Sequence, residues 1–159
     1  MARERRWRDG QGIRLWEVWN ETDFAPFWKG GIPAYARLLK TAYIVIKTVD
    51  PSATVLFGGL LYATDDSWLT QVLSIFQQDR LHDQYNWYID VVAIHSYDDP
   101  WRSAWLTLYA RQGLKAYGLE RPIWINETGV SVWDDYPGPV WSTAPEDRIR
   151  LATAKQQAN

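Results

Sequence analysis

Leu15-Trp16-Glu17-Val18-Trp19-Asn20-Glu21 is an apolar and aromatic run that breaks off in Asn20-Glu21, and Pro122-Ile123-Trp124-Ile125-Asn126-Glu127-Thr128-Gly129 also carries a strand-like run into a glutamate. Short apolar runs rich in Val, Ile and Trp read as buried parallel strands rather than helices. A strand buried on both faces has no reason to finish in an acid unless its end opens on a cavity, because an unpaired carboxylate in an apolar interior is very costly. In α/β architectures that cavity lies outside the carboxyl ends of the strands. Taken alone, Glu21 could equally cap the helix that follows it. The second strand-end glutamate, Glu127, shifts the balance toward a site, and two carboxylates at two strand ends suit acid/base or covalent chemistry on a bond held between them.

Between the two runs the pattern alternates. After a turn-rich loop at 22–31 that carries Phe24, Phe27 and Trp28 and could wall a pocket, Tyr35, Leu38, Leu39, Ala42, Tyr43 and Ile46 recur at helical spacing. That helix has Pro33 near its start and stops ahead of Asp50-Pro51. Thr54 to Leu60 reads as a buried strand whose Gly58-Gly59 marks either a close backbone approach or a turn. A helix capped by Asp66 or Ser67 follows, then a strand over Tyr88 to Ile94 that runs into His95-Ser96-Tyr97. Period two places His95 and Tyr97 on one side, within reach of one cavity. A third helix is expected over Trp101 to Tyr117, with Trp105, Leu108, Tyr109 and Gln112 on one stripe and Gly118 as its stop. The fourth strand is Pro122 to Asn126; a long loop at 130–141 with Trp133 and Trp141 comes next, and Thr143-Ala144-Pro145-Glu146 reads as a helix start. Strand and helix alternate four times without a hairpin signal, so the units are expected to be right-handed βαβ crossovers in a parallel sheet.

Composition narrows the function classes. At 159 residues the chain suits one domain with a core of its own, and a net charge of -2 leaves no electrostatic footprint for nucleic acid or an anionic membrane. No stretch is long and apolar enough to span a bilayer, and Met1-Ala2-Arg3-Glu4-Arg5-Arg6 lacks the apolar core of a signal peptide, which leaves localisation open. The absence of cysteine excludes disulfides and thiolate metal sites, and His82 and His95 are too few for a His-rich catalytic zinc centre. The 11 Trp and 9 Tyr provide flat faces of the kind sugar rings stack on, although the same side chains fill cores.

The segments Trp16-Glu17-Val18-Trp19-Asn20-Glu21 and Trp124-Ile125-Asn126-Glu127-Thr128-Gly129 resemble the signatures of the clan A retaining glycoside hydrolases. In that clan an Asn-Glu pair ends the fourth strand of a (β/α)8 barrel, a second Glu ends the seventh, and a His-x-Tyr follows the sixth, here His95 and Tyr97. Within the clan the sequence looks most similar to bacterial enzymes of the β-xylosidase and α-L-iduronidase family. The resemblance implies an α/β fold, a partial TIM barrel of four βα units, and hydrolysis of O-glycosidic bonds by double displacement in the complete protein; strands absent here supply further sugar contacts in that clan, so this piece alone is not expected to have a complete active-site wall. It makes Glu21 the general acid/base and Glu127 the nucleophile. Asn20 would bond the sugar hydroxyl beside the anomeric carbon, Tyr97 would orient Glu127, and His95 and Trp133 would line the substrate site. A retaining mechanism wants the two carboxyls about 5 to 5.5 Å apart, one protonated and one ionised. Glu21 is expected to keep the proton and Glu127 to be held ionised by donors such as Tyr97. No cofactor or metal is implied, and the expected partner is a carbohydrate substrate.

A full barrel takes about 250 residues. The acid/base strand begins within the first fifteen residues here, so residues 1–159 are expected to form one partial catalytic domain without the first three βα units and the eighth strand. Two expectations follow. The first and last strands become sheet edges through which chains could self-associate. Glu17, on the strand face of Glu21, is expected to be a structural hydrogen-bonding acid whose partner belonged to an absent strand. The competing readings are a sugar-binding module without catalysis, stacking sugar on Trp28, Trp101, Trp133 and Trp141, and an inactive truncated gene product.

Overall fold

In the computed structural model the described residues are 12–62, 65–97 and 100–129. They alternate as β1 (Leu15–Asn20), α1 (Gly31–Val49), β2 (Thr54–Leu60), α2 (Trp68–Gln77), β3 (Val91–Tyr97), α3 (Pro100–Lys115) and β4 (Ile123–Gly129). The sheet order is β1-β2-β3-β4 and every pairing is parallel, so four strands joined by three crossover helices build an α/β half-barrel among the described residues. The expected loop at 130–141, with Trp133 and Trp141, and the helix from Thr143 lie outside the described residues.

Burial follows from pattern. β2 and β3 are the inner strands and are buried at all but one residue each, as continuous apolar runs covered on both faces must be. β1 and β4 are the edges, where Leu15, Trp19, Trp124 and Ile125 are exposed. The core between sheet and helices gathers Tyr35, Leu39 and Tyr43 of α1, Leu69, Val72, Leu73 and Phe76 of α2, and Leu106, Ala110 and Leu114 of α3. α1 ends at Val49, with the extended Asp50 as its cap, because the residue before Pro51 is pushed out of the helical region. No helix among the described residues is long and apolar enough to cross a membrane.

Two sequence expectations change. α3 does not bury the stripe of Trp105, Leu108, Tyr109 and Gln112: Trp105 is 49% and Leu108 62% exposed. The inward face is Leu106, Ala110 and Leu114, at spacings of four, with Gly113 fitted against Thr70 and Leu69 of α2. A helix packing on a neighbouring helix at this closeness needs small residues, and the bulky aromatics turn away; Trp105 and Tyr109 stack on each other instead, 5.4 Å apart. The third strand begins at Val91 rather than Tyr88, because Asn86, Trp87 and Tyr88 form a tight turn with all three residues in the left-handed region.

That turn serves an anchor at the amino ends of the strands. Asp90 accepts from Val55 N at 2.9 Å, from Tyr43 Oη at 3.1 Å and from Asn86 Nδ2 at 2.9 Å, and pairs with Lys47 at 2.7 Å. Arg121 in turn donates to Asn86 Oδ1 at 2.6 Å. Although burial opposes its charge, Lys47 and these donors hold the Asp90 carboxyl below its usual range.

The sheet is curved. Three strand spacings of about 4.8 Å would separate the edges of a flat sheet by roughly 14 Å. Side chains of β1 and β4 nevertheless meet across the concave side, where Asn126 Nδ2 donates to Glu17 Oε2 at 2.6 Å. The carboxyl ends of the edge strands are thereby turned toward each other.

Candidate active site

The strand ends are held in place by backbone contacts that a side chain would block. Tyr35, wholly buried on α1, donates to Val18 O at 3.3 Å and accepts from Gly58 N at 2.7 Å, joining β1 to β2 where both approach the rim. A Cβ on Gly58 would lie 2.5 Å from Val18 O, and one on Gly59 would fall inside the imidazole of His95. The two glycines therefore mark a close approach rather than a turn, and the register slips between Phe57 and Leu60 as they pass.

β1 leaves the extended conformation as it reaches the rim. Trp19 at φ 74 and Glu21 at φ 43 both sit in the left-handed region, unusual for side chains of this size. Strain of this kind persists only where the surroundings hold it. Here the Trp19 indole donates to Phe27 O at 3.0 Å and packs edge-on against Trp28, while Phe24 N closes a turn onto Glu21 O. The result is a Glu21 side chain that is almost fully buried and aimed at β3.

Glu21, His95 and Glu127 converge there. His95 Nδ1 lies 2.9 Å from Glu21 Oε1 and 3.4 Å from Glu127 Oε2, and one polar atom of each of the three residues lies within 4.8 Å of the others. His95 stands opposite Glu127 in the β3–β4 register. Tyr97, two residues on, donates to Glu127 Oε2 at 2.6 Å. The alternation along β3 thus delivers both side chains to one place. Glu127 is half-exposed and Tyr97 lies at the surface, so this edge of the cluster is open to solvent. Asn20 is half-exposed beside Glu21, and its amide makes no hydrogen bond among the described residues. His95, in contrast, is completely buried beneath the carboxylates. Trp133 lies outside the described residues, and Trp101 is exposed at the start of α3.

The electrostatics follow from this crowding. Burial disfavours an imidazolium at His95, but Glu17, Glu21 and Glu127 together outweigh it and push its pKa up to about 9. The hydrogen bond to Glu127, with burial and the charges of Glu127 and Glu21, pushes the Tyr97 phenol up to about 12, so it remains a donor at neutral pH. By spacing, Glu21, His95 and Glu127 could also surround a cation. While His95 carries its proton, however, Nδ1 is a donor to Glu21 and not a metal ligand.

Glu17 is a hydrogen-bonding acid, as expected, but its partners come from strands that are present. It accepts from Gly59 N of β2 and Asn126 of β4. Asp23 was not singled out by sequence. It is buried and accepts from Leu61 N at 3.1 Å and Tyr62 N at 2.5 Å, fixing the chain that leaves β2. Burial pushes its carboxyl up, against those two backbone donors. The only signal was its place in a loop directly after Glu21. That loop, with Trp28, Lys29 and Trp68, also lines a cavity of about 490 Å³ that neither Glu21 nor Glu127 reaches.

No protein-family model matches the chain. Over 88 residues it is 31% identical to a β-xylosidase of Geobacillus stearothermophilus, a stretch that is 54% of this chain and 16% of that enzyme. Among solved structures it is similar to a monomeric β-xylosidase from Caulobacter crescentus, with a TM-score of 0.61 and 22% identity over 80% of this chain and 29% of that one. It is similar also to the GH39 enzyme of Xanthomonas axonopodis, with a TM-score of 0.59 and 21% identity over 80% of this chain and 28% of that one. A family 51 α-L-arabinofuranosidase of Bifidobacterium longum superposes with a TM-score of 0.54 and 18% identity over 81% and 30% of the two chains. The chain thus spans less than a third of the length of each of these glycoside hydrolases. It is a partial (β/α)8 barrel that resembles the clan A glycoside hydrolases, with enzymes of families 39 and 51 among its structural neighbours.

Proposed function

We propose that this chain carries the catalytic pair of a retaining O-glycosidase, with Glu21 as general acid/base and Glu127 as nucleophile. The observation that carries the reading is the convergence of these two carboxylates, from opposite edges of the sheet, around His95, with one oxygen of each within 4.8 Å of the other. A retaining double displacement calls for about 5 to 5.5 Å between carboxyl groups, whereas an inverting one leaves room for a water. In the first step Glu127 attacks the anomeric carbon as the Glu21 proton passes to the departing oxygen. In the second Glu21 takes a proton from water, which attacks the same carbon and releases Glu127. Tyr97 holds Oε2 of Glu127 through its hydroxyl, which leaves Oε1 to attack. Asn20, whose amide makes no hydrogen bond among the described residues, bonds the neighbouring sugar hydroxyl.

The relatives point to pentosides as first substrates. The test is turnover of nitrophenyl β-xyloside and nitrophenyl α-L-arabinofuranoside by the chain and by its variants. Glu127→Gln is expected to lower turnover at least about a thousandfold, and azide is expected to restore it in Glu127→Ala through a glycosyl azide. A Glu127→Gln chain with undiminished turnover would overturn the assignment.

A further inference from the structure

Glu17 is outside the pair of strand-end glutamates, yet from β1 it faces all three other strands. Its Oε1 accepts from Gly59 N of β2 at 2.5 Å, its Oε2 accepts from Asn126 Nδ2 of β4 at 2.6 Å, and Oε1 lies 3.7 Å from Nε2 of His95 on β3. All three groups are donors when His95 is charged. An acceptor-only carboxylate accepts from the two amides and faces the imidazole with its charge, whereas a glutamine would turn an NH2 toward one of the three. Nε2 of the buried His95 has no hydrogen-bond partner of its own among the described residues, so Glu17 is what faces that side of the ring.

The second consideration is mechanical. β4 is an edge strand, mostly exposed, and its backbone pairs only with β3 among the described residues. The bond from Glu17 to Asn126 ties it to the opposite edge, and Asn126 immediately precedes Glu127. We propose that Glu17 is a positioning residue, which sets the Glu127 carboxylate against Glu21 by holding Asn126 and steadies the buried imidazole between them. This rests on the catalytic reading above. It makes Glu17 necessary to that chemistry without touching the sugar. A misplacement of about 1 Å can cost on the order of a hundredfold in rate.

Two variants test it, each with one readout that needs no turnover. The groups facing His95 are Glu17 and Glu21 from β1 and its end, Glu127 from β4 and Nε2's neighbour Gly59 from β2. Glu17→Gln removes one of three carboxylates, so the His95 midpoint followed by NMR is expected to fall by about one pH unit. Asn126→Ala, at an exposed position, keeps all three carboxylates and should move that midpoint by much less. In a crystal structure of Asn126→Ala the Glu21 to Glu127 separation should grow by about 1 Å, and in both variants kcat should fall roughly thirtyfold with KM within about twofold. An unchanged His95 midpoint in Glu17→Gln, or an unmoved Glu127 in Asn126→Ala, overturns the proposal. A wild-type chain without any turnover overturns the glycosidase reading instead, and the NMR and crystallographic results still decide the role of Glu17.

Discussion

Tyr97 donates its phenolic hydrogen to Glu127 at 2.6 Å, from the neighbouring strand and two residues beyond the histidine that faces the same carboxylate. One oxygen of Glu127 is thereby given a fixed direction. Tyr97→Phe removes that donor and little else, since Tyr97 lies at the surface. The expected outcome is a fall in kcat of about ten- to a hundredfold with a smaller change in KM, because the bond matters most while charge moves on Glu127. Steady-state kinetics on an aryl pentoside check it, and an equal loss in kcat and in binding would argue against an orienting role.

His95 makes stability depend on pH in a defined direction. Its folded pKa is raised to about 9 by the carboxylates around it, above the ordinary histidine value of about 6.5. The folded chain therefore holds a proton that the unfolded chain releases. The contribution is present in full below about pH 6.5 and disappears as pH rises through about 9. Urea midpoints should decline across that window, and His95→Gln should flatten the decline.

Tyr35 offers a test of the scaffold beneath the rim. Its hydroxyl is buried and serves Gly58 N and Val18 O together. Tyr35→Phe keeps the ring packing but orphans a buried amide, which costs about 1 to 3 kcal/mol. Denaturant unfolding measures this directly, and a change below about 0.5 kcal/mol would mean that the amide finds another acceptor.

Gly59 is expected to be more sensitive still. Any Cβ there collides with the ring of His95, which is buried and cannot swing away. Gly59→Ala should destabilise the chain by roughly 2 kcal/mol or more and perturb the His95 signals, whereas alanine at Gly129, where an added Cβ meets nothing within 4 Å among the described residues, should do neither. Thermal unfolding and NMR of the two variants make the comparison.

The strand-and-helix order was legible because most elements have a clear pattern: residues 55–60 and 91–94 are apolar runs, and Tyr35, Leu39 and Tyr43 lie on one helical face. The convergence of Glu21, His95, Tyr97 and Glu127 was legible from strand ends and period two. α3 was misread because hydrophobicity alone favours Trp105 and Leu108, while close packing on α2 selects the smaller Ala110 and Gly113. Period two could not foresee that Trp19 and Glu21 adopt positive φ, since that conformation depends on contacts with Phe27 and Phe24 in the following loop. Nor could it supply Asn126 as the partner of Glu17, which requires the curvature of the whole sheet.

Asp90 and its ring of donors sit at one end of the strands, the carboxylates at the other. The two ends answer to different demands, one to cohesion and one to chemistry. Residues around Glu21 and Glu127 can consequently be exchanged, in nature or by design, to retune a reaction while the foundation that keeps the strands aligned goes undisturbed.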